Sequence, residues 1–227
     1  MGRVVGLYPL LPDHISVERD EHGEIVYTYF VLCLVENGSS VVYNGYCKIL
    51  RTDRRIRLKV LNFYGGAGIG KSTIAADIFS KLKRKGHKTE LVGEYAKWLW
   101  YQNATDIVQD QLYLFAEQVH RLKTLERYGV EYAVCDSPLP LNIIYNNTPD
   151  EFFDQLVMHE HAKFDNVEYL LRRNDEFITI DGRKETNLER AKVKDEEIKA
   201  VLDGAGIGYT VISPWETDRV LLDLKIK

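Results

Sequence analysis

One stretch decides the fold of this chain: Gly65-Gly66-Ala67-Gly68-Ile69-Gly70-Lys71-Ser72. It fits the pattern G-x-x-x-x-G-K-[ST], in which glycines let successive backbone N–H groups turn inward around phosphate oxygens. The apolar run 58–64 precedes it, and the helix-forming run 73–78 follows it. Because a strand, a glycine-rich turn and a helix N-terminus are the context that this motif needs, the stretch predicts a P-loop that binds a nucleoside triphosphate.

The residues of the P-loop have distinct predicted roles. Backbone N–H groups between Gly65 and Thr73 would surround the phosphates, and the Lys71 ammonium would reach the β- and γ-phosphates. Ser72 is the residue of this motif whose hydroxyl would bind Mg²⁺. ATP and Mg²⁺ are therefore the expected cofactors.

From Arg57 onward, short apolar runs alternate with helical stretches, which is typical of a parallel sheet with crossover helices. The predicted strands are 58–64, 89–92, 132–135, 167–171 and 209–212. The predicted helices are 71–85, 107–128, 151–161 and 188–202. This pattern predicts an α/β fold of the P-loop NTPase type, with three layers around a five-stranded parallel sheet, over residues 56–227.

The first 55 residues have a different character. Two runs typical of strands, 24–35 and 41–50, are joined through Asn37-Gly38, and an N-G step between such runs indicates a hairpin. Residues 3–7 supply a third candidate strand. We therefore expect residues 1–55 to form a small antiparallel β appendage, whose role the sequence leaves open.

Composition narrows the class of protein. The 30 Lys and Arg against 34 Asp and Glu give a net charge of −4, so no global positive field attracts a nucleic-acid backbone. Cys33, Cys47 and Cys135 form no C-x-x-C pair, which argues against a disulfide scaffold or a zinc site. The apolar stretch 27–35 is far shorter than the roughly 20 residues that cross a bilayer. With prolines early in the N-terminal region and no signal-peptide core, the prediction is a cytoplasmic protein without membrane contact.

A P-loop alone does not separate kinases from GTPases and motors. The chain lacks an N-K-x-D element, and its third predicted strand of the larger domain ends in Cys135-Asp136-Ser137-Pro138 instead of D-x-x-G. Residues 56–227 are also too short to hold the sensor elements of a motor. These features favour a phosphotransferase.

Two carboxylates follow neighbouring predicted strands. Glu94 comes after the strand 89–92, and Asp136 ends the strand 132–135. Because ligands bind at the carboxyl edge of such sheets, both are expected beside the P-loop. A kinase needs one carboxylate to orient or deprotonate the acceptor hydroxyl and another to hold Mg²⁺. We assign the first role to Glu94 and the second to Asp136 together with Ser72.

A charged stretch follows the predicted strand 167–171 and includes Arg183 and Arg190. Small kinases carry a mobile lid at this place. Its arginines would neutralise the charge on the transferred phosphoryl group and exclude water. We therefore predict that Arg183 and Arg190 close over the site.

Further stretches outside the P-loop carry a resemblance: Gly93-Glu94-Tyr95-Ala96-Lys97, 110–118, Asp136-Ser137-Pro138-Leu139 and Asp181-Gly182-Arg183. With the P-loop, they resemble the small P-loop kinases of bacteriophages that are often labelled AAA-type ATPases. These are similar to the ribosylnicotinamide kinase half of the bifunctional bacterial NAD-salvage protein. The likeness covers about residues 57–215.

The resemblance implies an acceptor pocket. In that family, the carboxylates that match Glu94 and Asp136 face the acceptor, and Gln118 falls in the pocket. Tyr95 and Trp98 would offer aromatic faces to a base or a pyridine ring. The implied reaction moves the γ-phosphoryl group of ATP to a hydroxyl of a nucleoside, a nucleotide or nicotinamide riboside.

Two alternatives stay open at this point. One is a kinase for a nucleic-acid end or a modified DNA base, docked through the N-terminal basic cluster Arg51, Arg54, Arg55, Arg57 and Lys59. The other is a nucleotide-dependent ATPase switch with a protein partner. The sequence fixes neither the acceptor nor the oligomeric state.

Overall fold

A computed structural model gives the architecture of the chain. It describes residues 57–174 and 187–226 in full and, before residue 57, the backbone of four strands. By its internal contacts the chain divides into two compact units, residues 1–55 and 56–227. Each unit is described by itself.

The first unit contains an antiparallel sheet. Its strands are β1 (Val4–Pro9), β2 (Ser16–Arg19), β3 (Ile25–Val35) and β4 (Ser40–Cys47). The long strand β3 pairs antiparallel with each of the other three. The two predicted strands around Asn37-Gly38 correspond to β3 and β4, and the candidate strand 3–7 corresponds to β1, whereas β2 was not predicted.

The second unit is built on a parallel sheet. Its strands are β5 (Lys59–Tyr64), β6 (Thr89–Val92), β7 (Tyr132–Cys135), β8 (Asp165–Leu171) and β9 (Thr210–Ile212). They lie in the order β6-β7-β5-β8-β9, and every pair is parallel. The predicted five-stranded parallel sheet is therefore confirmed, and the strand that leads into the P-loop is its centre.

Helices connect the strands of this sheet. They are α1 (Lys71–Arg84), α2 (Tyr95–Tyr101), α3 (Thr105–Val108), α4 (Gln111–Arg127), α5 (Leu141–Tyr145), α6 (Glu151–His161), α7 (Leu188–Gly204) and α8 (Thr217–Asp223). The single helix predicted over 107–128 is wrong, because Asp110 interrupts it. The Asp110 carboxylate accepts a hydrogen bond from the Tyr113 N–H (3.0 Å) and so caps a new helix, α4.

The core explains the three layers. Successive side chains of a strand point to opposite faces, and β5 supplies apolar residues to both. Leu61 and Phe63 pack with the buried face of α1 and with α8. Leu58 and Val60 pack on the other side with α4 and α6. Because apolar side chains cover both faces of the central strand, helices must lie on both sides of the sheet.

Replacement of Leu61 tests this arrangement. Leu61 is fully buried at the centre of the sheet, so Leu61→Ala should lower the free energy of unfolding by about 2–5 kcal/mol. Urea unfolding followed by circular dichroism measures the change. The control Leu222→Ala removes a side chain that is 71% exposed and should alter stability by less than about 0.5 kcal/mol. Equal effects of the two substitutions would contradict the assigned core.

Candidate active site

The P-loop connects β5 to α1 and depends on glycine at its turn into the helix. Gly70 precedes α1 with φ 102°, and Gly68 has φ 75°. L-residues with side chains rarely adopt these angles. A Cβ at Gly70 would also lie 2.8 Å from the Cβ of Pro214. The backbone therefore reaches its turned conformation only with glycine at this position.

Lys71 is held inside the loop that it belongs to. Its Nζ donates to the carbonyl oxygens of Gly65 (2.7 Å) and Gly66 (3.0 Å). Burial lowers the pKa of Lys71, and the nearby carboxylates of Glu94 and Asp136 act in the opposite direction. The ammonium group thus lies within electrostatic range of both predicted catalytic carboxylates.

The two carboxylates have different environments. Glu94 is exposed at the N-terminus of α2, one residue after Gly93. Asp136 is buried at the end of β7. Burial raises the pKa of Asp136, and the negative charge of Glu94 raises it further, whereas Lys71 and the Ser72 hydroxyl lower it. One acid is therefore open to a ligand, and the other carries a charge that folding disfavours.

Asp136 and Ser72 fit the requirements of a magnesium site that is completed by phosphates. The Oδ1 atom of Asp136 is buried and has no hydrogen-bond partner among the described residues. The same described residues contain no group of three or more His, Cys, Asp or Glu side chains able to hold a metal. Mg²⁺ commonly binds one or two carboxylates together with water and substrate phosphates. The buried oxygen beside a hydroxyl matches that pattern.

A cavity that opens to solvent extends from the P-loop. The P-loop side is formed by residues 67–73. The remaining wall combines Glu94 with aromatic side chains, amide side chains and Lys97; the aromatic and amide residues are Tyr95, Trp100, Tyr145, Gln111, Gln118 and Asn142. Pockets that bind small molecules are lined in this way, by aromatic surface with a few polar groups.

Most of the predicted site residues meet at this cavity. Ala67 to Thr73, Glu94, Tyr95 and Gln118 all line it. Gly65 and Gly66 lie just before this part of the loop and bind Lys71 through their carbonyl groups. Asp136 lies close enough to Lys71, Ser72 and Glu94 to interact with each of them.

The prediction for Trp98 is corrected by the structure. Trp98 is 64% exposed and packs edge-on against Tyr101, whereas Trp100 lines the cavity. Helix periodicity explains the difference, since Ala96 and Trp100 are four residues apart and share a face of α2. Helix α2 is seven residues long and was not predicted from the sequence, so there was no basis for choosing between the two tryptophans.

The structure describes only one of the two predicted lid arginines. Arg183 lies outside the described residues. Arg190 is exposed in the first turn of α7, where its backbone N–H donates to the Asn187 side chain (3.4 Å), and it does not line the cavity. The position of Arg190 in this structure therefore gives no support to its predicted role.

The predicted basic cluster is described only in part. Arg51, Arg54 and Arg55 lie outside the described residues. Lys59 forms an ion pair with Asp165 (2.6 Å), and Arg57 donates to the carbonyl oxygen of Lys163 (2.9 Å). The two described members thus bind atoms of the protein itself.

An ion pair beside the P-loop was not predicted. Arg173 binds Asp195 through Nε (2.6 Å) and Nη2 (3.0 Å), and its Nη1 donates to the Ala67 carbonyl (3.0 Å). Asp195 also accepts a hydrogen bond from the Gly66 N–H (2.6 Å). A Cβ at Gly66 would lie 2.8 Å from the Ala191 carbonyl oxygen and 2.9 Å from the carboxylate of Asp195. Arg173 and Asp195 therefore fasten α7 and the end of β8 to the P-loop.

Sequence comparison assigns most of the second unit to one family. A family model described as an AAA domain matches residues 60–219. Among curated proteins, none shows significant sequence similarity to the chain. The match supports a P-loop family that binds nucleotides, whereas the resemblance to bacteriophage and NAD-salvage kinases stays a prediction.

Solved structures also show similarity. The APS kinase CysC of Mycobacterium tuberculosis, in complex with AMPPNP and APS, is 16% identical, with 74% of this chain and 98% of that chain covered and a TM-score of 0.43. The protein APE1195 is 17% identical, with 74% of this chain and 94% of that chain covered and a TM-score of 0.39.

In the described part of the chain, no helix combines the length and the apolar character that crossing a membrane requires.

Asp136→Asn should stabilise the nucleotide-free protein. Because the pKa of Asp136 is raised in the folded state, stability is lost as the pH rises through that pKa, and the amide avoids this loss. In EDTA near pH 7, we expect a gain on the order of 1 kcal/mol, or about 2–4 °C in Tm. Thermal unfolding measures it. The gain should shrink as the pH is lowered, because protonation removes the charge that burial disfavours; a gain of the same size at every pH would contradict the assigned cause.

Asp195→Ala should destabilise the second unit, because it leaves the Arg173 guanidinium and the Gly66 N–H without their shared acceptor. We expect a loss of about 3 kcal/mol in the free energy of unfolding, measured in urea. Glu196→Ala, at the next and exposed position of α7, is the matched control and should change stability by less than about 0.5 kcal/mol. Equal stability of both variants would show that the ion pair contributes nothing.

Proposed function

The chain belongs to the AAA domain family, and from this premise we propose that it is an ATP-dependent phosphotransferase. It moves the γ-phosphoryl group of ATP to a hydroxyl group of a small nucleoside-like acceptor, with Mg²⁺ as cofactor. The acceptor is a nucleoside, a nucleotide or nicotinamide riboside. The P-loop and the family match support the nucleotide-binding part of this proposal.

The observation that carries the proposal is the position of Glu94. Its carboxylate lines the same cavity as the P-loop and lies within electrostatic range of Lys71. Phosphoryl transfer to a hydroxyl needs such a group, because the acceptor must lose a proton as its oxygen bonds to phosphorus. A switch that only hydrolyses ATP would use the same carboxylate to orient water, but it has no need of an aromatic pocket beside it.

The chain's own residues then act in a defined order. Lys71 exchanges the carbonyl oxygens of Gly65 and Gly66 for phosphate oxygens and neutralises charge on the transferred group. Glu94 takes the proton of the acceptor hydroxyl while that oxygen bonds to the γ-phosphorus and the bond to ADP breaks. Ser72 and Asp136 would hold Mg²⁺, which when bound neutralises charge on the phosphates.

The aromatic wall supports an acceptor with a flat ring. Tyr95, Trp100 and Tyr145 line the cavity together with amide side chains. Two contacts hold the Tyr95 ring in place, since the Arg121 guanidinium lies 4.6 Å from its centroid and its hydroxyl is 3.2 Å from that of Tyr113. Aromatic faces held in place favour stacking with a nucleobase or pyridine ring.

ATP consumption with Mg²⁺ tests the proposal across nucleosides, nucleoside monophosphates, nicotinamide riboside and hydroxyl-bearing oligonucleotides. One small molecule should stimulate turnover, and Lys71→Ala should reduce that turnover by about 10²–10³-fold, because the ammonium stabilises the transferring charge. Lys83→Ala is the matched control. Lys83 is exposed on α1 and pairs with Glu90 (2.9 Å), away from the cavity, so its loss should leave turnover unchanged.

Other outcomes of this assay would contradict the proposal in distinct ways. Stimulation by oligonucleotides alone would favour the nucleic-acid kinase, and its binding should weaken steeply with salt. Slow hydrolysis that ignores every acceptor would favour the ATPase switch. Near-normal transfer by Lys71→Ala would show that the assigned site is wrong.

A further inference from the structure

Two buried amide side chains fasten the loop that carries Asp136. Gln118 on α4 is 5% exposed, and Asn142 on α5 is 6% exposed. The Gln118 Nε2 donates to the Ser137 carbonyl (2.6 Å). The Asn142 Nδ2 donates to the Gln118 Oε1 (2.7 Å) and to the Leu139 carbonyl (2.9 Å). The loop 136–139 is therefore tied to two helices at once.

This arrangement uses both ends of the Gln118 amide within the protein. Its nitrogen binds the loop, and its oxygen accepts from Asn142. Each of these atoms keeps one further hydrogen-bonding capacity, since an amide nitrogen carries two N–H donors and an amide oxygen two lone pairs. Breaking either of the two short bonds would leave a buried polar group without its partner, which is costly, so the loop is held firmly.

The residue at the start of this loop needs to be held in place. Asp136 is buried with one oxygen that lacks a hydrogen-bond partner among the described residues, and it faces the charge of Glu94. A movement of the Asp136 carboxylate toward solvent would hydrate its buried oxygen and weaken the repulsion by Glu94. The hydrogen bond from the Gln118 side chain to the carbonyl oxygen of Ser137, the next residue, opposes that movement. Nearby on the main chain, the Asp136 N–H makes only a long contact to the Val92 carbonyl (3.4 Å).

We propose that Gln118 and Asn142 are positioning residues that hold Asp136 in place for Mg²⁺. The inference rests on the proposed function in one respect, namely that Asp136 is a ligand of Mg²⁺. It adds a second role to the one that the sequence predicted for Gln118.

Binding of a fluorescent ATP analogue to the full chain tests this inference without knowledge of the acceptor. Titration of MgCl₂ gives the Mg²⁺ concentration for half-maximal effect on analogue affinity. Gln118→Met keeps the volume but removes the hydrogen bonds, so we expect it to need about tenfold more Mg²⁺. Its affinity for the analogue in EDTA should equal that of the wild type, because the P-loop is not changed.

Two further variants sharpen the test. Asn142→Leu should shift the Mg²⁺ requirement in the same direction, and the double variant should shift it by less than the product of the single effects, because both residues act on one loop. Gln155→Met is the matched control. Gln155 is exposed on α6, its amide donates to the Glu151 carboxylate (3.1 Å), and it does not line the cavity. Its Mg²⁺ requirement should stay that of the wild type.

The outcomes separate this inference from the proposed function. A wild-type Mg²⁺ requirement in Gln118→Met would overturn the positioning role and leave the phosphotransferase proposal intact. Loss of analogue binding in EDTA would also overturn it, because the amide would then serve the fold as a whole. If Mg²⁺ has no effect on the wild type, the assigned magnesium site is wrong, and the inference fails with it.

Discussion

Parallel pairing of the strands is the constraint on which the site depends. Val92 of β6 and Asn62 of β5 both pair with Cys135 of β7, so the three strands reach the same edge in register. Asp136 comes one residue after that pairing position, and Glu94 follows Val92 by two residues. The P-loop leaves the same edge from β5. Hydrogen bonds between backbones therefore bring together side chains that are far apart in the sequence.

This constraint explains how much of the site could be predicted. The strands 89–92 and 132–135 were predicted with their observed bounds, because Gly93 follows the first and Asp136 follows the second. Helices α2, α5 and α8 were missed because each is seven residues or shorter, too short to show a period. Predicting that Trp100 and not Trp98 lines the cavity would have required the helical period of α2. The pairing of Arg173 with Asp195 has no local signal, since it joins a strand end to a later helix.

In this structure, groups of the P-loop that are expected to bind phosphate are bound to the protein's own atoms. The Lys71 ammonium binds carbonyl oxygens of the loop, and the Gly66 N–H binds the carboxylate of Asp195. Hydrogen bonds that replace existing ones contribute less net free energy than their number indicates. Binding of a triphosphate to this loop is therefore an exchange of partners, and part of its free energy is used to displace the internal ones.

The close approach of α7 to the P-loop also restricts how the sequence of this protein can diverge. In the pattern G-x-x-x-x-G-K-[ST], the second position accepts any residue. Here that position is Gly66, and the carbonyl of Ala191 leaves no room for a Cβ. A mutation at position 66 to a larger residue would be retained only with a compensating change in α7. Homologues that keep this helix in place should therefore carry a motif with one more invariant glycine than the phosphates alone require.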